Sequence, residues 1–130
     1  MDAIGDAALA RLIARVTHDP EVLAVLLFGS RARGEASSGS DADVCLVLGA
    51  EPASALAAAH KRLDYLAEAE ADLVLFHQLP LHIRRRVLKE GVVLFVRDEE
   101  ALYALATRTA RAFEGFRHIQ RAYLDQVARD

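Results

Sequence analysis

The sequence is poor in several things at once, and each shortage excludes something. It has a single cysteine, Cys45, among 130 residues. One thiol closes no internal disulfide and builds no cysteine-rich zinc site, so a reducing compartment is expected. Aromatic residues make up only 6%, and alanine carries much of the apolar content. Positive charge is not in excess: 16 Lys and Arg stand against 19 Asp and Glu, a formal charge of −3. A broad nucleic-acid-binding surface therefore does not fit, although a local basic patch does. No apolar run approaches the ~18 residues of a membrane span. The first residues carry Asp2 and Asp6 where a secretory leader has positive charge. There is no internal repeat, no low-complexity tract and no linker. Ser37-Ser38-Gly39-Ser40 is the loosest stretch and is too short to separate domains. The expectation is one small soluble, cytoplasmic domain spanning residues 1–130.

What is present is a strong alternation of patterns. Ile4, Leu9, Leu12, Ile13 and Val16 recur at helical spacing, predicting a helix over 3–17 that His18-Asp19-Pro20 stops. Val22 to Phe28 and Val44 to Leu48 are continuous apolar runs of strand length, the mark of buried strands. Pro52 opens an alanine-rich helix to about Glu70. Leu73 to Phe76 is a third strand. Leu81 to Lys89 is a short helix closed by Gly91, and Val92 to Val96 is a fourth strand. Residues 98–130 form one long helix with the stripe Leu102, Leu105, Thr109, Ala112, Phe113, Phe116, Ile119, Tyr123 and Val127. Such alternation predicts an α/β arrangement, a sheet of about four strands flanked by helices. It leaves parallel and antiparallel pairing open.

The chemistry concentrates in Gly29-Ser30-Arg31-Ala32-Arg33-Gly34, followed by Ser40-Asp41-Ala42-Asp43. Asp41 and Asp43 are two apart at a strand start, so both carboxylates leave one face and repel each other. A hard divalent cation compensates such a pair. Asp72 opens the next apolar strand. If that strand lies beside the second one, three carboxylates converge and could hold two Mg²⁺ ions for in-line displacement at phosphorus. Gly29-Ser30 follows a buried strand and opens a short helix over 31–36. Glycine admits a phosphate close to the backbone, and free amides at a helix start attract it. The Ser30 hydroxyl adds a donor, and Arg31 or Arg33 adds positive charge.

The stretch 29–43, GSRARGEASSGSDAD, resembles the Gly-Ser, ten residues, Asp-x-Asp signature of the polymerase-β-like nucleotidyltransferase superfamily. With its flanking strands and Asp72, the resemblance covers roughly residues 22–96. Within the superfamily the chain looks most like the minimal nucleotidyltransferases of the MntA type, antitoxins paired with HEPN-domain toxins. The resemblance implies a mixed sheet with the nucleotidyltransferase fold. It implies transfer of AMP from ATP to a tyrosine of a HEPN toxin, with two Mg²⁺ ions. Gly29 and Ser30 would then contact the nucleotide phosphates. Asp41 and Asp43 would bind both metals, and Asp72 would complete one metal site and help activate the attacking hydroxyl. Arg31 and Arg33 lie inside the variable spacer and carry over less directly. A homodimer or hetero-oligomer is compatible with this reading. Two alternatives stand beside it: an antitoxin that neutralises by contact alone, and an adenylyltransferase for a small molecule.

Other residues have plainer readings. The five histidines show no metal-ligand spacing and read as surface or capping residues; His77 follows the third strand, which leaves room for a minor role near the site. Cys45 is a core residue. Arg84, Arg85, Arg86 and Lys89 form a solvated basic face or a contact for RNA or an acidic partner. The distal half of the last helix either packs on the core or overhangs it and meets a partner.

Overall fold

The computed structural model describes residues 6–28, 43–69 and 72–129. Among the described residues the elements run α1 (Asp6–Thr17), β1 (Val22–Phe28), β2 (Asp43–Leu48), α2 (Ala55–Ala69), β3 (Asp72–Leu75), α3 (Leu81–Glu90), β4 (Val92–Val96) and α4 (Glu99–Arg129). A single 3-10 turn, Phe76–Gln78, links β3 to α3. The expected helix over 31–36, and residues 3–5 of the first predicted helix, lie outside the described residues.

The strands form one mixed sheet in the order β3-β2-β1-β4. β1 pairs antiparallel with both β2 and β4, while β2 and β3 run parallel. The two continuous apolar runs are the two central strands, which must be apolar on both faces. Parallel neighbours need a crossover of a dozen or more residues, and α2 supplies it. β4 lies at an edge, where Val92 and Val93 keep considerable exposure.

Strand alternation sends side chains into two layers. Val25, Val44, Leu46, Leu73 and Leu75 pack under Leu12 and Val16 of α1 and Tyr65 of α2. Leu26, Cys45, Val47 and Phe76 pack under Val87 of α3 and Leu102 and Leu105 of α4. Each fully buried leucine or valine contributes roughly 1.5–3 kcal/mol relative to exposure.

Several boundaries differ from the sequence reading, each for a local reason. α2 begins at Ala55 rather than at Pro52, because the Ser54 hydroxyl accepts the Ala57 amide at 3.0 Å and caps the helix there. Asp98 does the same for α4, accepting the Ala101 amide at 3.2 Å. Phe76 leaves the third strand for the 3-10 turn. Gly91 follows α3 but is not left-handed; its φ is −68°. Its need for glycine is steric, since a Cβ there would strike the Val87 carbonyl oxygen.

One clamp had no sequence signal. Arg97, just after β4, donates Nε to the Val22 carbonyl at 2.9 Å and Nη2 to the carbonyls of Val16 at 2.6 Å and Asp19 at 3.0 Å. The Val16 and Asp19 carbonyls already accept the Asp19 and Val22 amides, so Arg97 adds a second donor to each and ties the end of α1 to β1 and β4.

Candidate functional site

The sheet register builds the candidate site. In the antiparallel β1–β2 ladder, Phe28 pairs with Asp43. In the parallel β2–β3 ladder, Asp43 pairs with Asp72. The last residue of β1 and the first residues of β2 and β3 thus share one end of the sheet. Neighbouring strands lie about 4.8 Å apart, so the two aspartate positions are adjacent. The two faces of β2 pack against different layers, Val44 and Leu46 with α1 and α2, and Cys45 and Val47 with Val87 of α3.

Asp43 is half-buried. Alternation puts it on the face of Cys45 and Val47, above the layer covered by α3 and α4. Its charge is felt by Cys45. Burial first, and then the neighbouring Asp43 carboxylate, push the Cys45 thiol up to about 12. Cys45 is therefore a protonated core residue at neutral pH, with no nucleophilic character.

Of the residues singled out from the sequence, the fold brings Asp43 and Asp72 into register. Asp41, Gly29, Ser30, Arg31 and Arg33 lie outside the described residues. Phe28, which precedes Gly29 in the chain, is the register partner of Asp43. Among the described residues no group of three or more His, Cys, Asp or Glu could hold a metal ion. Asp43 and Asp72 are register partners and both are oxygen-donor residue types, and hard oxygen suits Mg²⁺.

His77 is not near this end. Its ring, with a side chain only 4% exposed, places Nε2 3.1 Å from the backbone nitrogen of Leu48 and 3.2 Å from its carbonyl oxygen. Leu48 ends β2, five residues and about 16 Å from Asp43. Nδ1 lies 3.3 Å from Glu51 without the alignment of a hydrogen bond. The direction of the chain explains the correction. β3 runs parallel to β2, so the 3-10 turn after β3 sits at the far end from the acids.

The basic run also divides. Arg84 is largely structural, donating Nε to Leu79 at 2.8 Å and Nη2 to His77 at 2.7 Å through their carbonyls. Arg86 pairs with Glu90 at 2.9 Å. Arg85 lies over the Phe113 ring, 4.7 Å from its centroid. α4 packs through Leu102 and Leu105, and Thr109 is buried with its hydroxyl on the Leu105 carbonyl at 2.8 Å. Ala112, Glu114 and Leu124, further along, are exposed.

A cluster that sequence reasoning missed lies on the α1–α2 side. The Lys61 ammonium contacts Asp19 at 2.7 Å and Glu21 at 2.5 Å. The Tyr65 hydroxyl donates to Asp19 at 2.5 Å. Arg15 stacks on the Tyr65 ring at 4.1 Å. Burial works to raise the Asp19 carboxyl, but hydrogen bonds from Lys61, Tyr65 and the Glu21 amide outweigh it and hold the carboxyl low. A cleft of about 420 Å³ beside it is lined by Glu21, Leu48, Glu51 and Lys61, at the end of β2 away from Asp43.

Comparison with known proteins places this geometry. A family model described as polymerase beta, nucleotidyltransferase, matches residues 11–100. No curated protein matches. Several solved structures share the fold. A chain of a toxin–antitoxin crystal structure with AMP-PNP is 20% identical, with a TM-score of 0.65, covering 92% of this chain and 95% of that one. A chain of the MntA–HepT toxin–antitoxin structure is 16% identical, with a TM-score of 0.64, covering 95% and 98%. A chain of the structure of tri-AMPylated Shewanella oneidensis HEPN toxin in complex with MNT antitoxin is 17% identical, with a TM-score of 0.63, covering 92% and 95%.

Proposed function

The chain belongs to the polymerase beta nucleotidyltransferase family, and from that premise we propose that it acts as an antitoxin, transferring AMP from ATP to a tyrosine of a partner HEPN toxin. The observation that carries the reading is the register of Asp43 with Asp72 at one end of the sheet. The likeness to toxin–antitoxin structures, one with AMP-PNP and one with an AMPylated HEPN toxin, supports the choice of nucleotide and acceptor.

In this reading Asp41, Asp43 and Asp72 would hold two Mg²⁺ ions. When bound, those ions offset the negative charge that develops on the phosphoryl oxygens. Gly29 and Ser30 hold the nucleotide phosphates, with Arg31 and Arg33 adding positive charge. The phenol oxygen attacks the α-phosphorus in line. A phosphorus–oxygen bond forms there, the bond to the bridging oxygen breaks, and pyrophosphate leaves. Asp72 helps take the phenolic proton. In this reading the partner supplies the acceptor side of the site.

A second reading, neutralisation by contact alone, is favoured by the exposed distal part of α4. Pyrophosphate release separates the two. With the HEPN partner and Mg²⁺-ATP present, release by the wild type and none by Asp43→Asn supports transfer. Equal neutralisation by both proteins, with no release, supports contact.

A further inference from the structure

Two hollows adjoin along the seam between α3 and α4. One, of about 240 Å³, is lined by Leu26, Leu88, Glu99, Leu102, Tyr103 and Ala106. The other, of about 210 Å³, is lined by Arg85, Leu88, Lys89, Ala106 and Ala110. They share Leu88 and Ala106, so they form one groove. The second hollow exists because α4 presents alanine at 106 and 110, where a larger side chain would fill it. One turn away Tyr103 is 76% exposed, although its neighbour Leu102 is packed. A large aromatic knob therefore stands beside an unfilled hole on the same helix face. Val93, the register partner of Leu26 on the edge strand β4, is also exposed.

The charges along this face are ordered. Positions 99, 103, 106, 110 and 113 of α4 are three or four apart and form one stripe. Glu99 lies seven residues before Ala106 and Phe113 seven after, a span of about 21 Å. Arg85 covers Phe113. The stripe thus runs from an acid, past a knob and a hole, to a cation, with Ala106 midway. Such a surface is complementary to itself when turned end over end.

We infer that this groove is the contact for a second copy of this chain, with the two α4 helices antiparallel about a two-fold axis near Ala106. Tyr103, three residues before the axis, enters the hollow at Ala110 of the partner subunit. Glu99 meets Arg85 of the partner subunit. Each contact occurs twice, as a two-fold interface requires. Lys89 stands at the rim of the hollow, where it suits the phenol oxygen. Apolar burial at Tyr103 supplies affinity, and the ordered charges set the antiparallel register.

Analytical ultracentrifugation of the full chain over a micromolar concentration series tests this, with circular dichroism verifying each fold. The wild type sediments as a reversible monomer–dimer mixture. Tyr103→Glu, on an exposed position, raises the dissociation constant by about tenfold or more. Glu99→Arg also weakens the dimer, and adding Arg85→Glu to it restores association. A wild type that stays monomeric overturns the inference. So does a dimer indifferent to Tyr103→Glu, or a charge-swapped double variant that folds and associates no better than Glu99→Arg. A monomer that loses binding to another protein on Tyr103→Glu also overturns it, and assigns the groove to that protein.

Discussion

Asp43 and Asp72 are register partners across the parallel β2–β3 ladder, each the first residue of its strand. Placing two acids at adjacent positions beside a hydrophobic core disfavours the charged pair unless positive charge compensates it. The fold tolerates this at the sheet end where β1 also terminates, and nowhere along the central ladder, whose other members from Val44 to Leu48 are apolar. The proposed chemistry grows out of that local conflict.

Removing one acid tests the cation reading without activity. Mg²⁺ that binds the native state raises the melting temperature of the wild type by mass action. Asp43→Asn keeps the side chain's size and removes its charge, and circular dichroism verifies that the variant folds. Differential scanning calorimetry with and without Mg²⁺ is expected to show a rise for the wild type and none for Asp43→Asn.

Cys45 should be silent in the native protein. With its thiol pushed up to about 12 by burial and by Asp43, the thiolate is scarce at pH 8. A colorimetric disulfide reagent is expected to label no thiol in the native protein and one per chain in denaturant. Fast native labelling would contradict the packing described.

The Asp19 cluster gives a pH dependence whose sign is fixed. Hydrogen bonding holds the folded carboxyl below its ordinary value of 3.8. The stability this contributes is fully present above 3.8 and is lost as pH falls through the lower folded value. Denaturant titrations at pH 7 and pH 3 are expected to show a smaller acid loss for Asp19→Asn than for the wild type. Lys61, held above its ordinary 10.5 by Asp19 and Glu21 against the effect of burial, acts only in alkali.

Two glycines should respond in opposite ways to alanine. Gly91→Ala forces a Cβ against the Val87 carbonyl and is expected to cost about 1–3 kcal/mol. Gly115 lies inside α4 with open space around it, and Gly115→Ala is expected to stabilise by about 0.5–1 kcal/mol. Urea unfolding of the two variants checks both signs.

Much of this architecture could be read from the chain. Val22–Phe28 and Val92–Val96 are strands over the same residues the pattern predicts, because unbroken apolar runs between turn residues have few other uses. The adjacency of Asp43 and Asp72 was legible as a condition on strand order. The pairing sense was not, since it depends on how α2 crosses over rather than on either strand's composition. Arg97 gave no signal because all of its acceptors are backbone carbonyls more than 70 residues away. Tyr65 sits in a weakly patterned alanine-rich helix, and Asp19 looked like a helix stop. The nearness of His77 to β3 in sequence says nothing about which end of the sheet it reaches, and its ring serves the Leu48 backbone.

The central claim is AMP transfer to a protein hydroxyl, and intact-mass spectrometry of the HEPN partner after incubation with this chain and Mg²⁺-ATP tests it most directly. The account predicts a gain of whole AMP units on the partner, absent with Asp43→Asn. An unchanged partner mass with the wild type, or an equal gain with Asp43→Asn, would contradict it.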